Sequence, residues 1–167
     1  MLGRGLAVAA ATVVLDQATK AMVLGYFGAT GCAVHRVEVS RFLDLVLVCN
    51  PGVSFGLLGD AGVNSLFFSG VAALIVVVLG VWLSRVRATF LAVAIGLIIG
   101  GAIGNVVDRL RFGAVIDFLY FHAGSWYWPA FNLADSAICL GVAAMLLDGV
   151  LLRRAAPQAK GREDLSP

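Results

Sequence analysis

Apolar residues in this chain gather into four long runs separated by polar breaks. The runs cover 6–27, 63–83, 88–107 and 131–152. Each is close to the roughly 20 residues that carry a helix across the hydrocarbon core of a bilayer. The first run is interrupted by Asp16, Gln17, Thr19 and Lys20, and the second by Asn64, Ser65 and Ser69; the third is rich in glycine. The one long connection is 28–62. Within it Val34-His35-Arg36-Val37-Glu38-Val39 alternates apolar and polar, and 43–48 is apolar and β-prone, which predicts a small sheet or cradle at the membrane surface. Asn50-Pro51-Gly52 is a turn signal. The short link 84–87 makes the second and third runs an antiparallel hairpin. The segment 108–129 carries Trp126, Tyr127 and Trp128, side chains that favour the headgroup level. From 155 the chain is polar and reads as a disordered cytoplasmic tail. The predicted fold class is therefore an all-α membrane protein. It has four transmembrane helices, a small extracytoplasmic β-cradle and a single domain over 1–154.

Composition sharpens this picture. The chain is 60% hydrophobic and only 13% charged, with a mean hydropathy of +0.96, which leaves no room for a soluble domain beside four spans. A net charge of +2 gives no reason to expect nucleic acid; the basic residues mark topology instead. With the N-terminus inside, the inner side holds Arg4, Arg85, Arg87, Arg153, Arg154, Lys160 and Arg162. The outer side then holds Arg36, Arg41, Arg109 and Arg111. This bias places both termini in the cytoplasm. Arg4 followed by the apolar stretch 6–15 resembles a cleavable signal peptide. The apolar character resumes after Lys20, however, so the segment is read as a retained span. Cys32, Cys49 and Cys139 form no metal-binding spacing. Cys32 and Cys49 fall on the outer side and are read as two unpaired thiols, with a disulfide as the alternative. Cys139 is read as a small apolar packing residue.

The polar residues within and beside the spans carry the candidate chemistry. Asp117 and Asp135 lie next to the outer ends of two spans. Carboxylates in such places are costly and mark function, and two that meet would share a proton, as in aspartic proteases. Asp117 sits among apolar residues 114–121 and has no packing role; burial and a second carboxylate would both raise its pKa. Asp16 and Lys20, four apart, are either a neutralising ion pair or a pair facing a wet cavity. Asn105, Asp108 and Arg109 share a helical face. Asp108 is expected to pair with Arg109, whose guanidinium can also grip carbonyls or a lipid headgroup. Gly96, Gly100, Gly101 and Gly104 form a small-residue stripe explained by close helix packing. Asn132, Asp135 and Ser136 share another face; helix capping explains one of them but not three. Asp148 is expected to pair with an arginine such as Arg153. His35 and His122 read as interfacial, and no Gly-x-Ser-x-Gly or Ser-x-x-Lys nucleophile motif is present.

In sum, these motifs resemble the bacterial lipoprotein signal peptidases (signal peptidase II) over most of the chain. The family's first-helix Asp and Lys match Asp16 and Lys20. Its Asn-x-Gly-x-x-Phe-Gly loop matches Asn50 to Gly56, with Val53-Ser54 where two alanines are usual and a less usual Pro51. Its Gly-Asn-x-x-Asp-Arg and Val-x-Asp-Phe motifs match Gly104 to Arg109 and Val115 to Phe118. Its Phe-Asn-x-Ala-Asp-Ser motif matches Phe131 to Ser136. The resemblance implies a multi-pass aspartic endopeptidase of the bacterial plasma membrane, without cofactor or metal. Such an enzyme cuts diacylglyceryl prolipoproteins just before the lipidated cysteine, with its site at the extracytoplasmic face. It implies Asp117 and Asp135 as the catalytic dyad. Asn50, Asn105, Arg109 and Asn132 would bind substrate, with Asp16 in support. It also implies contact with membrane lipids, inhibition by globomycin-type peptides and a monomer. A proton-coupled transporter would need carboxylates near the midplane, along a path crossing both leaflets. A non-catalytic scaffold would leave the paired aspartates unexplained.

Overall fold

The computed structural model describes residues 1–52 and 65–155, with side chains as far as residue 150. In chain order the elements are α1 (Leu2–Tyr26), β1 (His35–Ser40), β2 (Leu43–Asn50), α2 (Ser65–Arg85), α3 (Thr89–Phe112), β3 (Val115–Ala123), β4 (Trp126–Tyr127) and α4 (Leu133–Ala155). All four helices are long and apolar enough to cross a membrane. The third extends past the predicted boundary at 107, so Asp108 and Arg109 are helical.

Helix α3 is the hub, and its glycines are the reason. A Cβ on Gly96 would lie 2.5 Å from the Gly5 carbonyl oxygen, and one on Gly100 2.6 Å from that of Ala9, so α1 packs directly on the α3 backbone. On another face a Cβ on Gly101 would collide with the Ala134 carbonyl of α4. The small-residue stripe thus does what close packing requires. Ala92, Ile95, Ile98 and Ile99 of α3 form one core with Ala9, Leu79 and Leu83. Helix α2 is apolar all round and leaves Leu66, Phe67, Leu74, Val77, Val78 and Val81 exposed. A surface of that kind suits lipid rather than water.

The strands form one antiparallel sheet in the order β1-β2-β3-β4. Its apolar face, Leu47, Ile116 and Phe118, packs with Val23 near the end of α1. The predicted cradle therefore exists, but it is larger than its first two strands. β3 was hidden in the sequence because Val115, Ile116, Asp117 and Phe118 are all buried. Burial on both faces removes the period-2 alternation that betrays a strand.

Other expectations are corrected. Cys32 and Cys49 form a disulfide, with Cα atoms 5.6 Å apart, rather than two unpaired thiols. Pairing within the sheet carries Cys49 back to the α1–β1 connection, and linear spacing does not reveal that. Cys139 does not pack inside; it is exposed on α4. His122 is more than interfacial: its Nε2 lies 3.1 Å from the fully buried Asp44, which Arg36 also pairs at 2.5 Å. Burial pushes the Asp44 carboxyl upward, but the hydrogen bonds from His122 and Arg36 outweigh it and hold the pKa below its ordinary value. His35 stacks on Phe27, with centroids 5.1 Å apart. The loop stretch Val53 to Gly56, the tail beyond 155 and the expected partner side chain Arg153 of Asp148 lie outside the described residues.

Candidate active site

Two chain reversals bring the polar motifs together. Helix α3 ends at Gly113, in the left-handed region at φ 75°, with its N–H donating to the Arg109 carbonyl. Glycine suits this stop because a side chain would be strained there. The chain turns straight into β3, and the Ile116 N–H donates to Asp108 Oδ2 at 3.2 Å, so α3 holds the strand that carries Asp117. After β4 the chain returns to β3. Phe131 and Leu119 exchange backbone hydrogen bonds of 3.0 and 2.9 Å, which puts Asn132 beside Asp117 as α4 begins.

The start of α4 is a reciprocal cap. Asn132 Oδ1 accepts the Asp135 N–H at 2.9 Å, and Asp135 Oδ2 accepts the Asn132 N–H at 3.2 Å. This is the capping-box arrangement, each side chain satisfying the other's backbone. Ser136 Oγ donates to the Asn132 carbonyl at 3.0 Å. All three polar residues therefore serve the helix start, and the expectation that capping accounts for one of them is corrected. Their remaining polar atoms make the site. Asn132 Nδ2 donates to Asp117 Oδ1 at 2.7 Å, and Asp135 Oδ1 accepts from Asn105 Nδ2 at 2.8 Å.

Asp117 is 2% exposed. It also accepts from Asn50 Nδ2 at 3.2 Å. Burial, and then the Asp135 charge, push its pKa up to about 7, although the Asn50 and Asn132 amides pull the other way. A carboxyl poised near neutrality beside a second carboxylate can give or take a proton at working pH.

Beneath the two aspartates lies a buried ionic layer. Lys20 is held 2.8 Å from Asp16 and 2.6 Å from Asp108, and it donates to Asn105 Oδ1 at 3.2 Å. Asp108 thus pairs with Lys20, not with Arg109 as its spacing suggested. Gln17 Nε2 adds a 2.8 Å bond to Asp108 Oδ1. Asp16 has no exposed surface and accepts the Ala134 N–H at 3.0 Å, so it supports the start of α4. Of the two readings of the Asp16–Lys20 pair, the ion pair holds. Lys20 and Gln17 thus belong to the support of the site beyond the expected residues; their place within one turn of Asp16 is the signal for them.

Arg109 has a different setting. Its guanidinium lies 5.9 Å from the centre of the Phe68 ring, and its Nε is buried without a hydrogen-bond partner among the described residues. It stands with Asn105 at the wall of an apolar groove of about 390 Å³. Helices α2 (Phe68, Val71, Ile75), α3 (Ile98, Ala102) and α4 (Ile138, Val142) line that groove. Two further clefts adjoin the aspartates. One of about 200 Å³ is lined by Val48, Cys49, Asn50, Pro51 and Asp117. One of about 300 Å³ is lined by Trp128, Phe131, Asp135, Ser136 and Cys139. Among the described residues no group of three or more His, Cys, Asp or Glu stands ready to hold a metal ion.

This chain is similar to known proteins along most of its length. The sequence pattern of the family described as signal peptidase (SPase) II matches residues 8–151. A lipoprotein signal peptidase of Azoarcus sp. (strain BH72) is 52% identical over 147 residues, covering 84% of this chain and 79% of that protein. One from Methylobacterium sp. (strain 4-46) is 46% identical, covering 87% and 88%. A solved structure described as a bacterial membrane enzyme determined by the in meso method at 1.9 Å resolution has a TM-score of 0.71 and 30% identity. That match covers 89% of this chain and 93% of the other.

Proposed function

The chain belongs to the signal peptidase II family, and from that premise we propose that Asp117 and Asp135 are the catalytic pair of a prolipoprotein signal peptidase. It is a multi-pass bacterial membrane protein and an endopeptidase that removes signal peptides from prolipoproteins. The observation that carries the dyad reading is the placement of Asn132. Its amide donates to Asp117 while its side chain and backbone lock Asp135 in place.

The chemistry follows from that placement. At neutral pH the pair holds about one proton between its two carboxyls. The ionised carboxylate takes a proton from a water molecule, whose oxygen attacks the scissile carbonyl carbon. The protonated carboxyl donates to the carbonyl oxygen, giving a tetrahedral diol and no acyl-enzyme. The diol collapses as the dyad protonates the nitrogen and the C–N bond breaks. The new amine is the N-terminus of the lipidated cysteine, and the pair again holds one proton. The starting position of that proton is a property of the pair rather than of either residue.

The remaining polar groups orient the peptide. Asn50, Asn105 and Asn132 hold the aspartates, and Asn50 and Asn105 also line the clefts while Asn132 is buried beneath them. Arg109, whose buried Nε has no partner among the described residues, is set to take a substrate carbonyl. The apolar groove between α2 and α4 suits a signal-peptide helix entering sideways from the lipid, with the acyl chains of its diacylglyceryl cysteine staying in the outer leaflet. In this reading the site opens at the extracytoplasmic face and both termini lie in the cytoplasm, a topology supported by the distribution of Lys and Arg. Globomycin-type peptides would compete for the same clefts, and a single chain supplies every residue invoked.

The test is cleavage of a diacylglyceryl prolipoprotein by the purified protein in detergent, with and without globomycin. Asp117→Asn is expected to bind substrate and not cut it. Full turnover by that variant would remove the dyad from the mechanism.

A further inference from the structure

We propose that the Cys32–Cys49 disulfide is a positioning element of the active site, which holds the Asn50 amide against Asp117. The proposal rests on the reading of Asp117 as catalytic. It starts from the end of β2. On one side β2 pairs with β3 as far as Cys49 opposite Ile116 and Asn50 opposite Val115. On the other side, pairing with β1 ends at His35 opposite Leu47. Cys32 precedes β1 by three residues, and its bond to Cys49 falls where that pairing has stopped. The covalent tie thus continues the β1 edge of the strand up to the residue before Asn50.

The other end of the tie is well anchored. Ala29 and Ala33, on either side of Cys32, pack against the core of Val23, Leu47, Ile116 and Phe118. Asn50 itself is the last residue of β2. Its Oδ1 accepts the Gly52 N–H at 3.0 Å, and its Nδ2 is thereby turned toward Asp117 Oδ2 at 3.2 Å. Cys49, Asn50 and Asp117 line the same cleft of about 200 Å³. A small shift of the strand end would therefore separate the amide from the carboxylate.

The Asn50 hydrogen bond favours the ionised form of Asp117. Other charges also face that carboxylate: Asp135 from α4, Lys20 from α1 and Arg109 from α3. None of these is tied to the disulfide. Opening the disulfide should thus act on one donor and leave the rest of the field in place.

The experiment uses the full-length purified protein in detergent with a diacylglyceryl prolipoprotein over a range of pH. Dithiothreitol passes two electrons and two protons to the bond, leaving two cysteine thiols and the cyclic oxidised dithiol. Reduction, and Cys32→Ser/Cys49→Ser, are each expected to lower kcat about ten-fold, the scale of one hydrogen bond to a charged group. KM should change less, and the limb of the pH profile set by Asp117 should move to higher pH. The double-serine variant should not respond to dithiothreitol, because Cys139 is already a free thiol. Asn50→Ala should show a similar loss, and reducing it should subtract nothing more. Kinetics unchanged by reduction would overturn the proposal. So would an equal further loss on reducing Asn50→Ala, since the bond would then support the fold without acting through Asn50. Asp117→Asn is measured alongside. If it still cleaves, the dyad reading fails; if it is inactive while reduction changes nothing, only the disulfide proposal fails.

Discussion

Replacing Lys20 by methionine should cost this protein a large share of its stability. The ammonium is 2% exposed, and its two carboxylate partners, Asp16 and Asp108, have no exposure at all. Without Lys20, two buried negative charges remain with only neutral donors. Asp16 keeps the Ala134 N–H, and Asp108 keeps the Ile116 N–H and Gln17. Breaking a buried ion pair by removing one partner costs about 3–5 kcal/mol, against a total of about 5–15 kcal/mol for a typical domain. For a chain of this size the thermal midpoint should fall by on the order of 10 °C. Neutralising the whole group tests the cause. Asp16→Asn/Lys20→Met/Asp108→Asn leaves no uncompensated charge and should recover most of the loss, since buried pairs contribute little net stability. The assay is thermal unfolding in detergent for wild type, the single variant and the triple variant. A single variant within about 1 kcal/mol of wild type, or a triple variant no better than the single, would refute the account of a charge-balanced layer.

Four further outcomes follow from the same geometry. Asp117 has a folded pKa of about 7 against an ordinary 3.8. Its contribution to stability is therefore complete below about pH 4 and is lost as pH rises through about 7, because the folded state holds the proton more tightly; melting curves between pH 4 and 8 should slope downward for wild type and less for Asp117→Asn. Gly100→Ala places a Cβ 2.6 Å from the Ala9 carbonyl oxygen and should cost about 1–3 kcal/mol of thermal stability. Gly80→Ala meets no described residue within 4 Å and should be neutral or better by about 0.5–1 kcal/mol. Asn132→Ala removes both the cap of α4 and the donor to Asp117, so it should lose turnover and about 1 kcal/mol of stability together; full activity in the cleavage assay would contradict its central place.

Much of this molecule can be read from its residues. The four spans stand out because each is a continuous apolar run, and the glycines of α3 mark where α1 and α4 pack close against it. The polar triplets were legible as faces because i, i+3 and i+4 coincide on a helix. Their partners were not. Asp108 pairs with Lys20 across two helices, where the sequence suggested its neighbour Arg109. β3 was concealed because a strand buried on both sides has no alternation. The disulfide was concealed because its geometry comes from the register of β2 in the sheet. The cap at α4 shows a subtler limit. From the sequence, capping is allowed for one of the three polar residues at 132–136, yet Asn132 and Asp135 both cap the helix. One set of side chains serves the fold with some atoms and the site with others, and atom-level division of labour leaves no mark on sequence spacing.

The most direct measurement is a double-mutant cycle on the pair itself. Cleavage of the diacylglyceryl prolipoprotein would be followed for Asp117→Asn, Asp135→Asn and the variant carrying both. Groups that share one proton act as a unit, so either single change should reduce turnover to background and the second should subtract nothing further. Losses that add, or substantial cleavage by either single variant, would contradict the claim that Asp117 and Asp135 form one catalytic pair.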